Sequence, residues 1–340
     1  MWRERLPSST DLSEGWAIIP AAGAGTRLRP HTHSTPKPLL TVGGKPILGH
    51  ILDKVVALGV RRIALVVGYR GDQILTFARE KYGNCEVEAI EQPQPLGLGH
   101  AVHLAAPVTQ GKPVLIVYGD TVFEGGLDEA VERDADGVIG VRRVEDPGRF
   151  GVVELDGNRI LRLVEKPETF VSDTAIVGVN LIRDSERLFA CLDRLIVDDV
   201  RSRGEFQLTD AFGLMVDEGA RMEAFTVDNW YDCGAPESLL ETNRHLLGRI
   251  PPLEPREGVV IVPPVHIDPS ADITRSIIGP YVSVGEDARI AESVLRDTIV
   301  GTGAHLTGCN LDQSLIGDHA TVEAGRRRLN VGDSSQVSLY

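Results

Sequence analysis

Cysteine is scarce and scattered, with Cys85, Cys191, Cys233 and Cys309 far apart in 340 residues and no CxxC pair among them. That pattern excludes a zinc finger and a disulfide framework and predicts a reducing, cytoplasmic setting. Basic residues are outnumbered, 35 Lys and Arg against 49 Asp and Glu, for a net charge of -14. A surface of that sign repels nucleic acid backbones and anionic membranes, so neither is an expected partner, and any anionic substrate needs a local positive patch. Long apolar runs are absent as well. Nothing approaches the roughly 18 residues of a membrane span, and the opening MWRERLPSSTDLSEG carries charges and a proline where a signal peptide would be apolar. Residues 1–15 read as a loose, polar extension. What is present, 42% hydrophobic and 25% charged residues, suffices for a large domain plus a smaller one.

From residue 16 to about 250, short β-branched runs alternate with helical patterns. AIIP (17–20), IALVV (63–67), VEAI (87–90) and VLIVY (114–118) are separated by helix-like segments near 46–58, 72–82 and 97–106. This rhythm predicts βαβ units and a Rossmann-like α/β fold with a mostly parallel sheet. After Asp120 the pattern turns to strand pairs, 137–144, 151–155, 159–165 and 175–182, followed by helices near 184–198 and 206–219. A proline-rich linker, PPLEPREG (251–258), then precedes aliphatic residues in steps of six: Ile267 and Ile273; Ile278, Val284 and Ile290; Val300 and Leu306; Ile316 and Val322. Steps of six predict a triangular parallel β-helix over 259–340, with glycine at its tight corners, rather than a small β-sandwich, which would alternate without that register.

The positive patch that the acidic balance demands lies between Trp16 and His50. Arg27, Arg29, Lys37 and Lys45 fall there without one Asp or Glu, where the chain's acid density would place about five. The segment opens with strand 17–20 and turns through Ala21-Ala22-Gly23-Ala24-Gly25-Thr26-Arg27, small residues that let backbone N–H groups approach phosphate. Two common glycine loops fail on spacing. A dinucleotide GxGxxG would need glycine at Leu28, and Gly43-Gly44-Lys45-Pro46 has proline where a P-loop places its hydroxyl. Further on, Asp120 ends strand 114–118 after one glycine, at the C-terminal sheet edge where open α/β folds bind ligands, and a hard cation suits it.

PAAGAGTRLRPHT followed by TPKPLL resembles the GxGTRLxPxT…PK signature of sugar-phosphate nucleotidyltransferases. QPQPLGLGHA (92–101), YGDT (118–121), DPGRFGVVELD (146–156), EKP (165–167), RGEFQLTD (203–210) and WYDCG (230–234) follow in the order found in glucose-1-phosphate thymidylyltransferases. GPYVSVG (279–285), SLIG (314–317) and LNVGDSSQVSL (329–339) resemble the C-terminal left-handed β-helix of that enzyme's long form. Pro38 departs from the pattern, since many such relatives carry glutamine there, and Asn180 stands where they carry tyrosine.

The resemblance implies a Mg²⁺-dependent enzyme that joins a sugar 1-phosphate to a nucleoside triphosphate, dTTP or UTP. It implies phosphate contacts from Ala22, Gly23, Gly25, Thr26, Arg27 and Lys37, with Arg27, Lys37 and Asp120 catalytic. Asp120 and Asp232 would hold the metal, Gln92 and Gly97 would read the base, and Gly151, Glu165 and Lys166 would take the sugar phosphate. Arg27 suits its role because a forked guanidinium bridges two phosphate oxygens. RGEFQLTD reads as a helix start, with Glu205, Thr209 and Asp210 serving structure. The β-helix predicts scaffold or oligomer contact, and a homo-oligomer is expected. A β-helix acyltransferase and a non-catalytic nucleotide-sugar sensor are the competing functions.

Overall fold

The computed structural model describes residues 12–324. The motif at 329–339 and residues 1–11 of the expected extension lie outside them. Leu12 is buried in a short turn, Leu12–Glu14, and Trp16 N donates to Pro113 O at 3.0 Å, so residues ahead of the expected boundary at 16 already pack in the fold.

The described chain divides into two compact units. In the first, β1 (Trp16–Pro20), α1 (Ile47–Ala57), β2 (Arg62–Val67), α2 (Gly71–Lys81), β3 (Glu86–Glu91), α3 (Leu98–His103) and β4 (Val114–Val117) alternate as the sequence rhythm predicts. The helix expected over 97–106 stops at His103, and a separate turn, Ala106–Thr109, starts around Pro107, which has no N–H for a continuing ladder. Next come β5 (Thr121–Glu124), β6 (Gly137–Arg143), β7 (Gly151–Asp156), β8 (Arg159–Glu165), β9 (Thr174–Ile182), α4 (Ser185–Val197), α5 (Leu208–Asp217), β10 (Met222–Thr226) and β11 (Asn229–Asp232).

Nine strands form one sheet in the order β3-β2-β1-β4-β9-β6-β10-β8-β7. The run β3-β2-β1-β4 is parallel because helical crossovers join its strands. Beyond β4 the sheet is mixed, with β6 and β10 parallel and the pairings of β9, β8 and β7 antiparallel, the short β7–β8 link forming a hairpin. Ile18, Ile116 and Ile139 from the sheet pack with Val102, Leu192, Leu208 and Phe212 from the helices into one core. β5 and β11 form a separate antiparallel pair that sets Asp232 opposite Thr121.

The second unit comprises Thr41–Gly44 and the chain from Leu240 onward, so the division falls ahead of the proline-rich run. Asn243 explains why: its Oδ1 accepts from Gly43 N at 2.9 Å and Ser283 Oγ at 2.5 Å, and its Nδ2 donates to Tyr281 O at 3.2 Å. Twelve short strands from Val259–Ile261 to Thr321–Glu323 stack as three four-stranded parallel sheets, an arrangement consistent with the left-handed β-helix. Ile267, Ile273, Ile278, Val284, Ile290, Val300 and Leu306 are buried inside it, and Ile316 and Val322 pack against them. Successive coils pair Val260 with Ile277 and Ile277 with Val294, so the advance is shorter than three full sixes.

The corners are tightened mostly by other residues than glycine. Arg275, Tyr281, Asp287, Glu292, Asp297, Gln313 and His319 all take positive φ. Gly285 is needed for another reason, since a Cβ there would meet Thr302 N of the next coil at 2.9 Å. Stacked backbone, rather than turn geometry, excludes a side chain at that position.

Candidate active site

The ends of the four parallel strands converge at one edge of the first unit. Ala21 N donates to Val66 O at 2.7 Å, Gln92 N to Val67 O at 2.8 Å and Gly119 N to Pro20 O at 3.0 Å. These bonds tie the loops after β1, β2, β3 and β4 together, and with them the segments bearing Arg27, Gln92 and Asp120. In the loop after β1, Gly25 has φ +60°, and a Cβ there would press on Thr32 at 3.0 Å and Lys37 at 3.1 Å. Thr32 Oγ1 donates to Gly25 O at 2.8 Å, which closes the loop on itself. Gly23, by contrast, faces open space, and nothing lies within 4 Å of the Cβ it lacks. Ala22 and Thr26 flank these glycines, Thr26 opening the one-turn helix Thr26–Leu28 that carries Arg27.

Lys37 is buried, its side chain 10% exposed, and Nζ reaches Asp120 Oδ2 at 2.5 Å. Asp232 lies beside Asp120 because β5 and β11 pair in register and Cys233 N donates to Asp120 O at 3.1 Å. A Cβ on Gly234 would come within 2.7 Å of Arg27 Nη2 and 2.9 Å of Asp232 Oδ1, so guanidinium and carboxylate share the space above that glycine. Burial raises the Asp232 pKa and the Asp120 charge raises it further, while Lys37, Arg27 and Arg149 oppose the rise. Arg27 and Lys37 from one segment, with Asp120 and Asp232 from far along the chain, thus form one cluster of mixed charge. Among the described residues no third His, Cys, Asp or Glu completes a metal cage. Two carboxylates are donors of the kind a hard divalent cation takes, and Asp120 and Asp232 would hold it only in part.

A second group forms on the β7–β8 side, where Glu165 pairs with Gly151. Thr209 Oγ1 donates to Glu165 Oε2 at 2.7 Å, and a Cβ on Gly151 would come within 2.6 Å of the same hydroxyl. The glycine therefore makes room for the Thr209–Glu165 bond. Lys166 takes φ +41°, its N donates to Phe150 O at 3.0 Å, and its Nζ lies 3.5 Å from Glu165 Oε1. Thr209, read from the sequence as purely structural, instead holds a candidate sugar ligand. Arg203, from the same motif, was not singled out by sequence reasoning, yet its Nη2 donates to Lys166 O at 3.3 Å. Arg149, on the turn Pro147–Arg149, has no role in the sequence reading, and its charge opposes the rise in the Asp232 pKa. Phe150 and Trp230 meet edge to face at 5.0 Å, and Trp230 Nε1 is buried without a partner. Asn180 is fully buried in β9.

On the β3 side, Gln92 is buried and its Nε2 donates to Gly97 O at 3.1 Å. Gly97 has φ +113°, and a Cβ there would strike Phe206 O at 2.6 Å. Gly99 N donates to Phe206 O at 2.8 Å and Phe206 N to Leu96 O at 2.9 Å, so RGEFQLTD clamps the Gln92–Gly97 loop at one end and reaches Glu165 at the other.

No helix among the described residues is long and apolar enough to cross a membrane. The profile of the family described as "Nucleotidyl transferase" matches residues 16–249. The chain is 32% identical over 361 residues to a glucose-1-phosphate thymidylyltransferase of Streptomyces antibioticus, a match that covers 95% of this chain and 99% of that one. A bifunctional protein GlmU of Methanococcus maripaludis is 34% identical over 235 residues, covering 69% of this chain and 55% of its own. In fold, a crystal structure of UDP-glucose pyrophosphorylase complexed with UDP-glucose matches with a TM-score of 0.61 at 22% identity, over 69% of this chain and 99% of that chain. The chain is an enzyme of the nucleotidyl transferase family.

Proposed function

We propose that the protein couples a sugar 1-phosphate to a nucleoside triphosphate, with dTTP and glucose 1-phosphate giving dTDP-glucose and pyrophosphate. The observation that carries this reading is the cluster of Arg27 and Lys37 with Asp120 and Asp232 at the carboxyl edge of the parallel strands. The near full-length similarity to glucose-1-phosphate thymidylyltransferase supports the choice of substrates. UTP is the alternative nucleotide, since a solved structure of similar fold holds UDP-glucose.

An ionised oxygen of the sugar phosphate attacks the α-phosphorus of the triphosphate. A new P–O bond forms as the bond from the α-phosphorus to the bridging oxygen breaks, and pyrophosphate departs with the electron pair. The nucleophile needs no base, so the residues act by position and charge. Arg27 bridges the α-phosphate and the leaving group, and the loop through Ala22, Gly23, Gly25 and Thr26 directs N–H groups at the phosphates. Lys37 meets the reacting phosphates, exchanging its contact with Asp120 for them. Lys166 takes the phosphate of the sugar and Glu165, oriented by Thr209, a sugar hydroxyl. Asp120 and Asp232 would hold Mg²⁺, which when bound supplies positive charge to the triphosphate. Gln92 and Gly97 read the base.

Pyrophosphate release measured across a grid of nucleoside triphosphates and sugar 1-phosphates with Mg²⁺ tests the reading. The expected maximum lies at dTTP or UTP with glucose 1-phosphate. Release confined to other nucleotides or other sugars would remove the substrate assignment, and no release with any pair would remove the reaction.

A further inference from the structure

Gln92 is fixed by two acceptors. A backbone carbonyl can only accept, so the contact with Gly97 O sets the amide with Nε2 toward it, and the second N–H of the same Nε2 lies 3.1 Å from His100 Nδ1. That ring nitrogen therefore accepts, and the proton of the neutral ring sits on Nε2. With both amide hydrogens engaged, Gln92 Oε1 is left over, and it accepts from no described residue.

We infer that His100 is a positioning residue that sets the hydrogen-bond polarity of Gln92, so that the base subsite presents an acceptor and selects bases carrying a ring N–H. This rests on the proposed base-reading role of Gln92. Uracil, thymine and guanine carry such a hydrogen, at N3, N3 and N1. Cytosine at N3 and adenine at N1 present a lone pair, which would face the lone pairs of Oε1. The Gly97 carbonyl alone leaves the amide one anchor, about which it can swing; His100 supplies the second. His100 sits in α3, one turn after Gly97, and its neighbours suit a neutral ring. Burial holds its pKa below the usual histidine value and His103, on the same helix, adds to this. His103 Nε2 itself faces Asp193 of α4 at 3.5 Å, and the Glu205 carboxylate, on the segment packed against Gly97, accepts from Gln207 Nε2 at 3.2 Å.

The test is steady-state kinetics of the full chain and its His100→Phe and His100→Asn variants, with UTP, dTTP, GTP, CTP and ATP at saturating sugar phosphate, across pH. The Phe variant keeps the bulk and loses the acceptor. Its KM for the preferred nucleotide is expected to rise about five- to tenfold, the loss of one hydrogen bond, with kcat and the KM for sugar phosphate little changed and discrimination against CTP reduced. The Asn variant, whose Oδ1 stands close to the ring nitrogen's place, restores the KM. In the unaltered enzyme the nucleotide KM rises as pH falls through the depressed His100 pKa, because protonation replaces the acceptor by a donor; the Asn variant loses this rise. A His100→Phe enzyme with unchanged nucleotide KM, or with both KM values raised equally, overturns the inference and leaves the proposed reaction standing. An unaltered enzyme that prefers ATP or CTP overturns it too. One that prefers GTP removes only the pyrimidine assignment.

Discussion

Replacing Arg27 by alanine removes the forked cation that shares the space above Gly234 with Asp232. Turnover is expected to fall by about two to three orders of magnitude with the melting temperature unchanged, the usual cost of deleting a preorganised donor to developing charge. Asp120→Asn leaves the buried Lys37 ammonium without its carboxylate and is expected to cut pyrophosphate release by a similar factor. Near-normal rates in either variant would contradict the mechanism. Asp232 carries the opposite balance. Its pKa is raised, mainly by burial, so the ionised form is disfavoured in the folded state, and that destabilisation is present above the ordinary carboxylate pKa and fades as pH falls. Asp232→Asn is therefore expected to raise the melting temperature at neutral pH while lowering activity. Calorimetry alongside a rate assay checks both signs. At this scale the sequence made Arg27, Lys37 and Asp120 legible as candidates through local composition and the position of Asp120 after a strand. Thr209 and Arg203 were not legible as neighbours of the candidate site, because their partners, Glu165 and Lys166, lie about forty positions away and no periodicity links them.

Among the elements, the segment that precedes α5 decides more than its turn-and-helix pattern suggests. It holds the Gln92–Gly97 loop through Phe206 and the β8 end through Thr209, so one stretch braces both proposed substrate sides. Thr209→Val is expected to raise the KM for sugar phosphate several-fold and leave that for nucleotide unchanged, because only Glu165 loses an orienting bond. Separate titrations of the two substrates show the difference. The helical and strand patterns of the first unit were readable because period and burial agree there. The early end of α3 was missed, since Pro107 acts by removing a donor within an otherwise helical apolar pattern. In the solenoid, Gly285→Ala is expected to destabilise the stack, since its Cβ would sit 2.9 Å from Thr302 N, whereas an alanine at Gly157, in the β7–β8 link of the first unit and with nothing within 4 Å, meets no steric obstacle and is strained only by its positive φ. Thermal unfolding of the two variants ranks them.

For the whole molecule, removal of divalent cations by a chelator is expected to abolish pyrophosphate release and to leave the fold intact, because neither core contains a metal cage among the described residues. Circular dichroism with and without chelator reads the second half of that expectation. The sequence by itself determined two architectures and their order, since β-branched runs spaced by helices and aliphatics spaced by six are local signals that need no partner to be seen. It also located the acid-free segment that an acidic chain requires to bind phosphate. Only the tertiary structure decided which charges meet. Asp120 and Asp232 are neighbours through the pairing of β5 with β11, Thr209 meets Glu165 through the packing of α5 beside β8, and His100 faces Gln92 through a loop that closes on Gly97. The first two depend on contacts between segments distant in the chain and the third on a loop that closes over eight positions, and the polarity of Gln92, down to which amide atom meets Gly97 and His100, follows from those contacts and not from residue type.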